Sequence, residues 1–248
     1  MTLPSAFANP VIAALDTTDG DQAKTVARSL AGVAGGVKLG LEFFGACGAD
    51  GVRRVMDHAR QEASIGLFLD LKFHDIPNTV AGVVSSVMPL QPNLLTLHAA
   101  GGSAMMAAAQ DAAQTEAARL GISAPVILAV TVLTSLDQGD LSDIGVRSAV
   151  AEQVERLGTL ASKAGIGGAV CSPHEATVLR QALGPEFLLV TPGVRPAGAA
   201  VGDQKRVTTP AQALDKGADL LVIGRPIFRA EDPAAATTAI LESLGDRP

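Results

Sequence analysis

Eight short apolar runs of β-strand type recur along the chain, and stretches of helical character separate them. The runs are mostly continuous rather than alternating, which is typical of strands that a parallel sheet buries on both faces. They occupy residues 11–15, 37–39, 65–71, 94–97, 126–132, 168–171, 187–190 and 220–223. The pattern therefore predicts an α/β protein in which a helix follows each strand.

Between these runs, small and apolar residues return at three- and four-residue spacing, which predicts amphipathic helices. Residues 23, 26, 27 and 30 (Ala, Val, Ala, Leu) are one such set. Side-chain oxygens stand where several helices would begin, and there they can accept hydrogen bonds from free N–H groups. The predicted caps are Asp19 or Asp21 for the first helix, Ser103 for the fourth, and Thr208 or Thr209 before Pro210 for the seventh.

Eight parallel strands, each followed by a helix, favour a closed (β/α)8 TIM barrel that forms a single domain over residues 1–248. A doubly wound open sheet is the alternative, although the chain has neither a G-x-G-x-x-G after the first run nor a G-x-x-x-x-G-K-[ST]. Two loops, 134–146 and 192–207, are longer than barrel turns usually are. Both would lie on the catalytic face, at the carboxyl ends of the strands.

Composition narrows the range of ligands. Aromatic residues make up only 3% of the 248 residues, with no Trp and no Tyr, which argues against a nucleic-acid site built on stacked rings. The net charge of -6 argues against general affinity for nucleic acids or anionic membranes. Any anionic ligand must therefore be held by a local group of cations.

The cysteines and the N-terminal region indicate the compartment. Cys47 and Cys171 are far apart and match neither a paired metal spacing nor a disulfide framework. No Lys or Arg precedes Lys24, and no apolar run approaches the ~18 residues of a membrane span. We expect a cytoplasmic protein with no membrane partner.

The densest charged cluster on a predicted strand ends the third run. Asp70 and Lys72 are two residues apart, so a strand projects both to the barrel mouth. Asp16 closes the first run, and Lys38 lies inside the second, where an unpaired lysine is rare. If they converge, two cations and two anions hold one another ionised, and Asp75 adds a further negative charge. For any single pair, an internal salt bridge is the structural alternative.

The histidines do not form a recognisable metal site. The four, at positions 58, 74, 98 and 174, are scattered, and neither H-E-x-x-H nor C-x-x-C occurs. We interpret His74 as a structural residue or loop contact, and His98 as a packing and hydrogen-bonding residue. The sequence also has no recognisable Ser/His/Asp nucleophile elbow.

The last two runs lead into segments suited to a phosphate group. The seventh opens into residues 191–195 (TPGVR) and a glycine-containing loop that reaches 202–206, and the eighth runs into Gly224, Arg225 and Pro226. Barrels commonly bind phosphate between these two loops, where glycine lets backbone N–H groups approach the anion and a following helix start points its dipole at it. Arg225 would add a bidentate donor fork. A glycine turn with a surface arginine is the alternative for Gly224 and Arg225 alone.

Taken together, these motifs resemble the orotidine 5'-phosphate decarboxylase family, of the bacterial type, over nearly the whole chain. The signature-like stretch is residues 70–79 (DLKFHDIPNT). The other motifs follow in the expected order and without departure: 15–16 (LD), 37–40 (VKLG), 130–135 (VTVLTS), 191–196 (TPGVRP) and 222–226 (VIGRP).

The resemblance implies a TIM barrel that converts orotidine 5'-monophosphate to uridine 5'-monophosphate and carbon dioxide, the last step of pyrimidine nucleotide synthesis, without metal or organic cofactor. By position, it implies that Lys72 donates a proton to carbon six and that Asp70 lies beside the substrate carboxylate. It also implies that Lys38 and Asp16 hold the ribose hydroxyls and orient the charged array, with Lys38 among the catalytic residues. It also implies a homodimer in which Asp75 and Thr79 enter the neighbouring subunit's site, with Thr79 at the ribose. The remaining implied contacts are Thr134 at the base and Arg195, Gln204, Gly224 and Arg225 at the phosphate.

Two other functions compete with this one. A magnesium-dependent sugar-phosphate decarboxylase of the same wider barrel group would share the D-x-K-x-x-D pattern. Lys38 argues against it, because such relatives look to have a metal-binding glutamate at that position and a cation there would repel magnesium. A non-catalytic barrel that binds a phosphorylated nucleotide is the second competitor, and the complete Asp/Lys array makes it the weaker one.

Overall fold

The computed structural model describes residues 3–196 and 208–245. The strands are β1 (Val11–Ala14), β2 (Gly36–Gly40), β3 (Gly66–Phe73), β4 (Leu94–His98), β5 (Val126–Val130), β6 (Gly168–Val170), β7 (Leu188–Pro192) and β8 (Leu220–Ile223). The α-helices are α1 (Gly20–Leu30), α2 (Leu41–Arg60), α3 (Pro77–Val87), α4 (Ser103–Leu120), α5 (Gln138–Asp143), α6 (Val150–Lys163), α7 (Ala176–Leu183), α8 (Pro210–Asp215), α9 (Arg225–Phe228) and α10 (Pro233–Glu242).

The strands form a closed parallel barrel in the order β1 to β8. β1 completes the ring by pairing with β8, with Val11 opposite Leu221 and Ala13 opposite Ile223. This closure confirms the predicted (β/α)8 barrel and shows that the open-sheet alternative is wrong. Each of the eight predicted runs coincides with one strand, and their ends differ from the observed ends by at most two residues.

The strands read as continuous apolar runs because each of them buries both faces. Along β1, Ile12 and Ala14 belong to the cluster that fills the barrel, whereas Val11 and Ala13 belong to the larger cluster between strands and helices. Two apolar environments thus take alternate residues of one strand. The core is mostly aliphatic, as the scarcity of aromatic residues predicts, with buried phenylalanines at positions 7, 43, 68 and 187.

Phe7 closes the amino-terminal end of the barrel. Its side chain is 4% exposed and packs with the residues that fill the barrel interior. The strands beside it begin with glycine: a Cβ on Gly66 would lie 2.5 Å from Phe7 Cε1, and one on Gly36 would lie 2.6 Å from the same atom. Glycine at these two positions therefore makes the space that the ring occupies.

The helix caps agree with the predictions at two of three sites. Asp19 accepts hydrogen bonds from the first turn of α1, and Thr209 caps α8 with Pro210 as its first residue. The prediction of Ser103 as a cap is wrong, since Gly102 is the cap and Ser103 is the first residue of α4. Gly102 has φ 86° and ψ 165°, a conformation that serine rarely adopts.

The two long loops have different structures. The loop after β5 contains α5, which Asp137 caps through hydrogen bonds to two backbone N–H groups. In the loop after β7, Val194 forms an isolated parallel bridge with Thr208. Gln204, predicted to contact phosphate, lies outside the described residues.

The two cysteines are not joined to each other. Cys47 is partly exposed and Cys171 is buried. Burial raises the pKa of the Cys171 thiol to about 12, so this side chain stays a protonated core residue at neutral pH. Within the described part of the chain, no helix is long and apolar enough to cross a membrane.

The packing of Phe7 against Gly66 predicts strong coupling between the two positions. Phe7→Ala should lower the free energy of unfolding by about 3–5 kcal/mol through cavity formation. Gly66→Ala should lower it by about 1–3 kcal/mol, because the new methyl group displaces the ring. In the Phe7→Ala background the Gly66→Ala cost should nearly vanish, and urea titration of the four proteins measures this. Equal Gly66→Ala costs in both backgrounds would contradict the proposed contact.

Candidate active site

Four charged side chains meet at the carboxyl ends of the first three strands. Asp16 follows β1, Lys38 lies within β2, and Asp70 and Lys72 lie near the end of β3. Lys72 Nζ is 2.7 Å from Asp70 Oδ1, and Lys38 Nζ is 3.5 Å from Asp70 Oδ2 and 3.2 Å from Asp16 Oδ1. The four residues predicted to converge thus form one continuous array in which negative and positive charges alternate.

Burial makes Asp70 the centre of this array. Its side chain is 11% exposed, against 57% for that of Asp16 at the outer end. Burial by itself raises the pKa of Asp70, but the charges of Lys38 and Lys72, with hydrogen bonds from Lys72 and Thr96, outweigh it and bring the pKa below its ordinary value. Asp70 is therefore an anion at neutral pH although it is almost fully enclosed.

β3 is irregular where it carries these groups. Its register against β4 shifts between Leu69 and Phe73, and Lys72 has φ 51° in the left-handed region. Thr96 of β4 lies opposite, where its Oγ1 accepts from the Lys72 N–H at 2.9 Å and donates to Asp70 Oδ1 at 3.0 Å. The side chains of Asp70 and Lys72 meet as predicted, but on a distorted strand rather than a regular one.

A cavity of about 330 Å³ opens beside the array, a volume in the range of small-molecule sites. Asp16, Lys38, Asp70 and Lys72 line one side of it. The described residues that are predicted to contact substrate in their own chain's site also line it, namely Thr134, Arg195, Gly224 and Arg225. One concave site therefore joins the anionic and cationic array to the segments predicted to bind phosphate.

Arg195 and Arg225 enter the cavity from the loops after β7 and β8. Arg195 is only 7% exposed, and its backbone N–H donates to the Thr208 carbonyl at 3.1 Å, which fixes the start of the loop. Arg225 follows Gly224 and begins the four-residue helix α9. Both arginines thus lie close to a strand end, Arg195 three residues after β7 and Arg225 two residues after β8.

Asp75 and Thr79 do not line the cavity of their own chain. Both residues are exposed, and Asp75 Oδ1 accepts a hydrogen bond from the Ile76 N–H at 2.6 Å. Ile76 itself is 66% exposed, which is high for a large apolar side chain. Asp75, Ile76 and Thr79 therefore lie on the surface, outside the lining of the cavity that Asp70 and Lys72 border.

His74 and His98 stack on each other beside the array, with ring centroids 5.4 Å apart. Burial is the main factor that lowers the pKa of His98, and the charges of His74 and Lys72 lower it further. His98 is therefore neutral at pH 7. Neither ring lines the cavity. The stacking fits the interpretation of His74 as a structural residue or loop contact and of His98 as a packing residue, whereas the hydrogen-bonding role of His98 stays a prediction.

Sequence reasoning missed Thr96 and the apolar lining of the site. Thr96 stands within an apolar run, where a threonine looks like any other β-branched strand residue. Apolar side chains from strands on several sides of the barrel, and from the residues just after β5, line the cavity: Phe68, Val130, Val132, Val170 and Val222. The alternation of inward and outward positions along the strands was the available signal for these apolar lining residues.

The charge array predicts a measurable change in the acidity of Asp70. In Lys38→Met one of its two cations is lost, so its pKa should rise relative to the wild type. NMR titration of the carboxyl carbons measures this, with Asp70→Asn used for assignment. Asp21 is the internal control, because its partner is the distant Lys24. An unchanged Asp70 pKa would contradict the assignment of Lys38 as its partner.

The sign of the linked stability effect follows from the same shift. The pKa of Asp70 in the folded protein lies below its ordinary value of 3.8. Its ionised form therefore stabilises the fold above that pH, and this contribution disappears as the pH falls through the lower folded value.

Proteins of known family resemble this chain over nearly its whole length. The model of the orotidine 5'-phosphate decarboxylase / HUMPS family matches residues 9–240. A protein of Rhodospirillum rubrum named orotidine 5'-phosphate decarboxylase is 55% identical over 240 residues, which cover 97% of this chain and 96% of the relative. A protein of the same name from Paramagnetospirillum magneticum is 52% identical and covers 96% of this chain and 99% of the relative.

Among solved structures, the orotidine 5'-phosphate decarboxylase of Lactobacillus acidophilus superposes with a TM-score of 0.83 at 37% identity. The alignment covers 96% of this chain and 99% of the solved one. The matched region spans the whole barrel and every described residue of the charge array. The chain therefore belongs to the orotidine 5'-phosphate decarboxylase / HUMPS family.

Proposed function

We propose that this protein decarboxylates orotidine 5'-monophosphate to uridine 5'-monophosphate and carbon dioxide, the last step of pyrimidine nucleotide synthesis. Membership of the family and the near-full-length likeness to relatives of that name support the assignment. The observation that carries it is the ionised Asp70 held between Lys38 and Lys72 in the wall of the cavity. Such an array suits a reaction in which a carboxylate leaves the substrate and negative charge develops on the carbon atom that carried it.

Lys72 is the proposed proton donor. Loss of carbon dioxide breaks the bond to carbon six and leaves the electron pair on that carbon, and the Lys72 ammonium supplies the proton that replaces the carboxylate. Its Nζ is already oriented by Asp70 Oδ1 at 2.7 Å before substrate arrives. A positive group fixed in this way stabilises negative charge as it develops, with no reorganisation at the moment of reaction.

Asp70 has the proposed place beside the departing carboxylate. Because its pKa is held below the ordinary value, it remains charged when a substrate carboxylate comes near. The two anions disfavour each other until carbon dioxide leaves, while Asp70 keeps the ammonium of Lys72 in position. We attribute most of the catalytic effect to this preorganised electrostatic environment.

The rest of the cavity accommodates the remainder of the nucleotide. Lys38 and Asp16 form the proposed ribose contact, and their 3.2 Å pairing places a donor and an acceptor together at the mouth. Arg195 and Arg225, with Gly224, form the proposed phosphate contact, and Thr134 the contact to the base. Binding energy from the phosphate can then serve the distant reacting carbon. The proposed contact of Gln204 with the phosphate rests on the family resemblance alone.

The reaction is proposed to need no metal. Asp16 and Asp70, the carboxylates that line the cavity, already pair with lysines, and Lys38 lies within 3.5 Å of both. A divalent cation bound by these oxygens would have to displace or approach that ammonium. This geometry favours decarboxylation of the nucleotide over the magnesium-dependent sugar-phosphate alternative.

The working unit is proposed to be a homodimer in which Asp75 and Thr79 reach the partner's site. Their exposure and their absence from the lining of their own cavity support this arrangement. The exposed Ile76 beside Asp75 provides an apolar contact for such an interface. A single domain over residues 1–248 and a cytoplasmic location stay predictions.

Turnover of orotidine 5'-monophosphate in excess EDTA tests the function and the metal independence together. We expect rapid loss of the ultraviolet absorbance of the substrate with the wild type. Lys72→Ala should abolish turnover while uridine 5'-monophosphate still binds, whereas Lys163→Ala, at the exposed end of α6, should match the wild type. No turnover by folded wild-type protein would overturn the function, and turnover by Lys72→Ala would remove that lysine as proton donor.

Mixing of two inactive variants tests the shared site. A hybrid of a Lys72→Ala chain with an Asp75→Asn chain contains one site with both native residues. Random exchange makes about half of the dimers hybrid, so activity should recover to about a quarter of the wild-type level per chain. Mass spectrometry of the mixture confirms exchange of subunits, and exchange without recovery would contradict a site shared across the interface.

A further inference from the structure

We propose that Thr96 is a positioning residue for this reaction: its hydroxyl holds the irregular end of β3 in the conformation that joins the Lys72 ammonium to the Asp70 carboxylate. The inference rests on the proposed function and extends it to a residue that does not line the cavity. Thr96 acts through the two charged residues and touches no substrate.

The first observation is the loss of regular pairing between β3 and β4. Leu69 lies opposite Leu95, and the next matched pair is Phe73 with Leu97. β3 therefore advances four residues while β4 advances two, from 95 to 97. The residue of β4 that faces this irregularity is Thr96, and the excess length of β3 contains both Asp70 and Lys72.

The second observation is the backbone conformation of Lys72. Its φ of 51° lies in the left-handed region, which residues with a Cβ adopt rarely and at a cost. The Lys72 N–H donates to Thr96 Oγ1 at 2.9 Å. A side-chain hydroxyl of the neighbouring strand thus satisfies the amide of the strained residue.

The third observation is that the same hydroxyl also serves Asp70. Thr96 Oγ1 donates to Asp70 Oδ1 at 3.0 Å, the same oxygen that accepts from Lys72 Nζ at 2.7 Å. Thr96 Oγ1 thereby holds both the backbone of Lys72 and the side chain of Asp70, and the Asp70 carboxylate in turn orients the Lys72 ammonium. Accepting and donating at once requires a hydroxyl, which valine lacks and serine has.

Burial makes this hydroxyl difficult to replace. Thr96 is 0% exposed and Asp70 is 8% exposed, so water has little access to the groups that Thr96 satisfies. A partly buried amide or a buried carboxylate that loses its hydrogen-bond partner favours a rearrangement that supplies another partner. Without the hydroxyl, we expect β3 to relax and the Lys72 ammonium to move from its position.

Kinetics of three variants test the proposal. Thr96→Val keeps the shape of the side chain and removes the hydroxyl, so kcat should fall on the order of 10- to 100-fold, as expected for displaced catalytic groups. KM and the affinity for uridine 5'-monophosphate should change little, because the residues proposed to bind ribose and phosphate stay in place. Thr96→Ser should restore most of kcat.

A matched control separates this effect from the general loss of a buried threonine hydroxyl. Thr237 is also 0% exposed, and its Oγ1 donates to the Pro233 carbonyl at 2.8 Å within α10. Thr237→Val should leave kcat unchanged even where it lowers the melting temperature. If Thr96→Val does not fold, Thr96→Ala carries the same expectations, since it removes the hydroxyl without placing a methyl group against Asp70.

Hydrogen exchange of the Lys72 amide tests the contact independently of turnover. The amide should exchange faster in Thr96→Val than in the wild type and at nearly the wild-type rate in Thr96→Ser, as followed by NMR. An unchanged exchange rate, or a kcat that Thr96→Val leaves intact in an active wild-type background, would overturn the proposal. Inactivity of the wild type would instead overturn the proposed function, and the exchange measurement would still decide whether Thr96 holds Lys72.

Discussion

The site depends on one constraint, which is that an ionised carboxylate must be kept inside the barrel mouth. A buried charge is tolerated only when other groups pair with it and donate hydrogen bonds to it. Asp70 obtains these from three successive strands: Lys38 on β2, Lys72 on β3 and Thr96 on β4. The closed barrel meets the requirement because neighbouring parallel strands end at the same rim and hold their side chains at fixed separations.

The rest of the fold keeps that rim rigid. Alternate residues of every strand except β2 pack inside the barrel and against the helices, so such a strand cannot slip by one residue without placing apolar groups in the wrong layer. Phe7 fills the opposite end, over glycines that leave room for its ring. Stability thus comes from the amino-terminal end and the two apolar layers, which leaves the carboxyl-terminal end free to carry polar and charged groups.

Much of this could be predicted from the sequence because the determining patterns are local and repeated. Eight apolar runs predicted the eight strands. Charged residues at the strand ends predicted that Asp16, Lys38, Asp70 and Lys72 converge. The irregular register of β3 and the role of Thr96 could not be predicted, because both depend on how two strands align across space. The cap of α4 was misplaced by one residue for a similar reason, since only the backbone angles of Gly102 distinguish it from Ser103.

The irregular end of β3 also connects the two places that its residues serve. Within six positions the chain passes from the enclosed Asp70 to the exposed Asp75, and the left-handed conformation of Lys72 lies between them. In the proposed homodimer, the same short segment therefore sets the ammonium of one site and the carboxylate delivered to the other. A change in the register of β3 would move both groups together. The stacked rings of His74 and His98 join this segment to β4 at a second point, beside the hydrogen bonds of Thr96. β4 therefore contacts both the catalytic end of β3 and the start of the exposed segment, although none of its residues lines the cavity.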